Sequence, residues 1–141
     1  SMSYATVETW LTDQAELHHV AAARDGGMDT DLIGRGLAAA TAEMDGWLAR
    51  RYPTVPVAAA ATLRMHAVRI ATYHMASTAQ SMTDEIDARY KASISYLRAV
   101  SKGDADLPGT QTAAGPEGQG TGEVQIVAPE RLFTRDKLKG L

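Results

Sequence analysis

The chain has 141 residues, a formal charge of −3 and no cysteine. That length suits one small domain and leaves little room for a second core. The lack of cysteine excludes disulfide frameworks, thiolate zinc sites and cysteine nucleophiles, and a pI near 5.7 excludes a strongly basic wrapper of nucleic acid.

Twenty-five residues are alanine and only 6% are aromatic, so helices can pack closely while each buries modest area. Burial from partner subunits is expected. No apolar run approaches the roughly 18 residues that span a bilayer, and composition reads as soluble, mostly helical and intracellular.

Thr6 is placed to cap a first short helix carrying Val7, Trp10 and Leu11. Asp13 and Glu16 have capping-box spacing for a second, with Leu17 and Val20, which Gly26 and Gly27 break. Asp29 or Thr30 caps the third. Ile33, Leu37, Ala40, Met44 and Trp47 recur there at spacings of three and four, one face of a helix. Gly34, Gly36 and Gly46 each weaken it by about 1 kcal/mol against alanine, a cost that close approach of another backbone would explain. Arg50 and Arg51 suit its negative end, and Pro53 stops it.

Residues 57–79 are apolar nearly all the way round, with Arg64 and Arg69 the only charges. Such a helix belongs at the centre of a bundle or against neighbouring subunits. Thr83 caps a last helix, in which Ile86, Tyr90, Ile94 (or Ser93), Leu97 and Val100 form one face and Gly103 sits at the C-cap position. Trp47, Leu48, Leu63, Ile70, Ile94 and Leu97 are the expected core.

After residue 102 the composition changes. Residues 103–122 hold six of the twelve glycines, and Leu107 is their one large apolar residue. The sequence therefore divides into a helical bundle over 1–102, a glycine-rich linker over 103–123, and a strand with a docking arm over 124–141. Residues 123–127 alternate as a short strand does, and Pro129 confines it to an edge or an end. The predicted fold is mainly α: a small bundle of four to five helices with a short β element and an extended C-terminal arm.

Candidate chemistry is sparse. His18 and His19 are adjacent, and His66 and His74 are eight apart, so neither pair has metal-ligand spacing and structural roles are expected. Asp84, Glu85 and Asp87 cluster at one helix start, where the dipole favours them without any acid–base role. The alternating glycines of 118–122 precede a strand rather than a helix, and Gly34 and Gly36 lie inside one, so neither reads as a phosphate loop. No catalytic residue, cofactor or metal site is expected.

The arm is different. From 123 onward four basic residues face three acidic ones, whereas the rest has ten basic and fourteen acidic. A solvated tail has no reason to carry Leu132, Phe133, Leu138 and Leu141. Val124, Ile126, Leu132, Phe133 and Leu138 are the expected apolar anchors on a partner. Arg131, Arg135 and Lys137 would set orientation. A small helical DNA-binding or regulatory protein is the alternative, though no helix clusters Arg, Lys, Asn or Gln as a recognition helix does.

Three segments carry a resemblance. They are the opening Met2-Ser3-Tyr4-Ala5-Thr6-Val7-Glu8, the stretch from Ala42 to Pro53 with Asp45-Gly46-Trp47-Leu48-Ala49-Arg50-Arg51-Tyr52-Pro53, and the end from Arg131 to Leu141 with Phe133-Thr134-Arg135-Asp136-Lys137-Leu138-Lys139-Gly140. Together, in this order, they resemble a Mu-like bacteriophage and prophage family of small head morphogenesis proteins, similar to head–tail connectors or adaptors. The resemblance implies a structural protein of the virion neck, not an enzyme, assembled in the bacterial cytoplasm as a ring of about twelve copies. It implies as partners other copies of the chain, the portal protein and the next neck or tail protein. DNA would pass through the ring without specific binding, and no membrane is involved.

Overall fold

The computed structural model describes residues 3–109. Its α-helices are α1 (Val7–Asp13), α2 (Thr30–Leu48), α3 (Ala60–Ala79) and α4 (Asp84–Lys102). A 3-10 segment, Ala15–Ala21, follows α1, and a single 3-10 turn, Val57–Ala59, leads into α3. The protein is mainly α. Among the described residues the β structure is one isolated bridge, Ala22 to Met28; the strand predicted at 123–127 lies outside them.

Short polar side chains start the helices. Thr6 accepts from the Thr9 amide at 3.1 Å, Asp29 from Leu32 at 3.0 Å, and Thr83 from Ile86 at 3.1 Å, each satisfying an amide that the first turn leaves open. Asp13 does not cap the second helix as its spacing suggested. It closes α1, and Gln14 begins the next segment with no side-chain cap. Leu17 departs from helical geometry, so the segment folds as kinked 3-10 turns.

α3 is the centre of the bundle, packed against α2, α4 and the 3-10 segment. Leu63, Ala67, Ile70, Ala71, Met75 and Ala76 are all fully enclosed. Trp10 is enclosed too, and its indole N–H donates to Thr72 Oγ1 at 2.8 Å, tying α1 to α3. At Gly36 α3 comes close to α2: a Cβ there would lie 2.8 Å from Met75 Cγ and 3.1 Å from the Ala71 carbonyl oxygen. Gly34 and Gly46 face open space, so close approach explains one of the three glycines.

Leu48, Leu63, Ile70 and Leu97 are buried as expected, but Trp47 and Ile94 are only partly so. On α4 the inward position belongs to Ser93, fully buried, because it partners the buried His66. Trp47 lies at the rim, where the Arg98 guanidinium sits 5.7 Å from its ring.

Arg51 also departs from its expected role. It reaches away from α2 to the end of α4, donating to the Val100 carbonyl, to the Ala105 carbonyl at 3.1 Å and to Asp106 at 3.0 Å. Gly103 terminates α4 in the left-handed region at φ +89°. The chain does not become a linker there. Leu107 is 2% exposed and its amide donates to the Tyr52 hydroxyl at 3.2 Å. Burying that leucine contributes about 2 kcal/mol. Residues 103–109 thus belong to the helical body.

Candidate functional site

The polar groups of the body fall into three places. The first joins the three long helices. Glu43 on α2 accepts from the Tyr90 hydroxyl on α4 at 2.8 Å and lies 3.1 Å from His74 Nε2 on α3. Tyr73 stacks on Tyr90 with centroids 3.8 Å apart. Burial, reinforced by Glu43, pushes the Tyr90 phenol up to about 12. Nearby, the Tyr4 hydroxyl donates to Asp45 at 2.5 Å and its pKa is likewise raised, chiefly by burial. These groups fasten helices to one another.

The second place is buried. His66 Nδ1 meets Ser93 Oγ at 2.8 Å and the imidazole stacks on Tyr96 at 4.7 Å. Burial, with Arg69 adding repulsion, lowers the His66 pKa to about 4, so the ring is neutral at pH 7. The pair resembles a nucleophile and base only in composition. Ser93 is 0% exposed, and a substrate cannot reach it. His18 has a structural setting too, with Nε2 2.7 Å from the Leu11 carbonyl and its ring stacked on Trp10. Among the described residues no three His, Asp or Glu side chains come together as a metal site.

The third place is a cleft of about 490 Å³ between the 3-10 segment and the flanks of α3 and α4, lined by Arg64, Arg69 and Arg89 and by Asp13, Glu16 and Glu85. Sequence reasoning singled out Arg64 and Arg69 as the charges of α3 but had no signal that a kinked 3-10 segment would stand opposite them. The carboxylates at the start of α4 behave as expected of a solvated helix start: Glu85 pairs with Arg89 at 2.6 Å and Asp87 with Lys91 at 2.8 Å.

The expected partner-binding residues, Val124, Ile126, Arg131, Leu132, Phe133, Arg135, Lys137 and Leu138, lie outside the described residues. Gly109, at φ +81°, rests against Ala58, with no room for a side chain between them. Val57 beside it is 92% exposed. Among the described residues no helix is long and apolar enough to cross a membrane.

Comparison with known proteins covers this whole body. The family described as Bacteriophage Mu, Gp36 matches residues 4–126, running past Gly109 and ending on Ile126. Gene product J of Escherichia phage Mu is 32% identical over 118 residues, which are 82% of this chain and 79% of that protein. With most of both chains aligned at that identity, the chain belongs to the bacteriophage Mu Gp36 family.

Proposed function

We propose that this Mu-family phage protein is a structural head–tail connector, not an enzyme: copies form a ring below the portal that continues the DNA channel and receives the next neck or tail protein. The observation that carries the reading is the reach of the family match, which takes in the closed helical body and continues beyond Gly109 to Ile126. A body fastened by its own helix-joining contacts, followed by an extension with apolar and basic anchors, suits a subunit that donates an arm to its neighbour. Residues 1–122 carry ten basic and fourteen acidic side chains, and an acidic body suits a channel wall that must let phosphates slide. The head-gene resemblance of the three sequence segments supports the same assignment. Light scattering on the protein mixed with its portal tests it: a ring-sized complex is the expected result, and no complex under any condition would refute it.

A further inference from the structure

Residues 104–109 cross the end of the body on a single buried side chain. Leu107 is buried, whereas Asp104, Asp106, Pro108 and Gly109 are exposed and Ala105 is half-buried. The helix before them is capped without most of them. The Gly103 amide donates to the Ala99 and Val100 carbonyls and the Asp104 amide to Ala99 at 2.8 Å, so these carbonyls are satisfied before the crossing begins. Arg51 and Tyr52 form the seat. The Arg51 guanidinium lies 5.2 Å from the Tyr52 ring and donates to Val100 on α4 as well as to Ala105 and Asp106. The Leu107 amide donates to the Tyr52 hydroxyl.

Glycines in the left-handed region bound the stretch, Gly103 at φ +89° and Gly109 at φ +81°, and glycine rotates there without steric cost. Between them Pro108 fixes its own φ and biases Leu107 toward extended backbone, which stiffens the piece around its one anchor. Segments with few buried side chains and solvent-facing bonds open at far lower cost than a core does. At the far end Gly109 touches the exposed Ala58, and a Cβ on residue 109 would overlap the Ala58 Cβ. The closed position therefore requires that residue 109 carry no side chain.

We propose that residues 104–109 are a releasable strap: they swing out about Gly103 as one piece while the helices stay packed, and close again on Arg51, Tyr52 and Ala58. Arg51 keeps its tie to Val100 when the strap leaves, so the seat stands ready for its return. Release moves the last anchored residue from Gly109 back to Gly103, and six extended residues add roughly 20 Å of reach. In the connector reading that length goes to the arm; the opening itself does not depend on that reading.

Hydrogen exchange followed by NMR on the full-length protein reads the opening directly. The Leu107 amide is expected to exchange about a hundredfold faster than the Ile70 and Ala71 amides of α3. In 1 M urea it should change less than about twofold while the α3 amides speed up about fivefold or more, because strap opening exposes little surface and unfolding exposes much. Gly109→Ala denies the strap its closed position and lies outside every helix. In that variant the Leu107 amide should come within about threefold of an unstructured amide, with Ile70 and Ala71 still about a hundredfold slower and helical circular dichroism unchanged. Adding Ala58→Gly removes the overlap and should restore part of the Leu107 protection. Leu107 exchanging at the α3 rate with the α3 urea dependence would overturn the strap and make residues 104–109 part of the cooperative core. Loss of Leu107 and α3 protection together in Gly109→Ala would overturn it too. These readouts involve no portal, so they stand or fall apart from the connector reading, which the ring-sized complex tests.

Discussion

His66 is neutral because the core holds it so, and that makes it an acid-sensitive point. Its folded pKa is lowered to about 4, against about 6.5 in an unfolded chain. Below pH 6.5 the unfolded state takes up a proton that the folded state refuses. Its neutral packing therefore favours folding fully above pH 6.5, and that contribution is lost as pH falls toward 4, by about 3 kcal/mol in all. Urea unfolding at pH 7 and pH 4 should show this drop, and His66→Gln should reduce it; an unchanged drop in that variant would assign the sensitivity elsewhere. Gly36 is a second such point. Gly36→Ala forces Cβ toward Met75 and the Ala71 carbonyl and should cost about 1–3 kcal/mol despite better helix propensity. Gly34→Ala and Gly46→Ala meet open space and should each gain about 0.5–1 kcal/mol. Thermal melts of the three variants separate these outcomes by sign.

At the scale of elements, α4 is fastened at both ends and along one face. Leu97 is fully enclosed, so Leu97→Ala should cost about 2–5 kcal/mol in chemical unfolding; a loss below about 0.5 kcal/mol would mean that its face is not in the core. At the C-terminal end Arg51→Ala should free residues 103–109, visible as faster hydrogen exchange at the Leu107 amide with the α3 amides unchanged. The helices were legible because local chemistry decides their starts and stops: Thr6, Asp29, Thr83 and Gly103 act where their residue types favour them. Tertiary pairings were not. Nothing local in Arg51 tells that it will cap a helix 49 residues away, and periodicity alone cannot choose Ser93 over Ile94 when the deciding partner is His66 on another helix. Composition places Leu107 in the linker because its neighbours are turn formers, whereas the buried leucine, the Tyr52 hydroxyl and Arg51 together hold that stretch to the body. The cleft was illegible for the same reason: its arginines come from two helices and its far wall from an irregular segment.

For the whole molecule, the proposed function divides the chain into a self-sufficient body and an arm that works between copies. Among the described residues, Trp10, Leu63, Ile70, Met75, Leu97 and Leu107 form one enclosed core. On the proposed function, deleting 124–141 should leave helical circular dichroism and the melting temperature nearly unchanged while abolishing assembly. A DNA-binding protein would instead show a mobility shift that weakens steeply with salt; the acidic body is expected to give none at physiological ionic strength. The most direct measurement is size-exclusion chromatography with light scattering on the full-length protein and the 124–141 deletion, each mixed with portal. The expected result is a ring-sized complex on the portal from the full chain and only free, folded monomer from the deletion. A deletion protein that still forms the ring, or a full chain that never joins the portal, would contradict it.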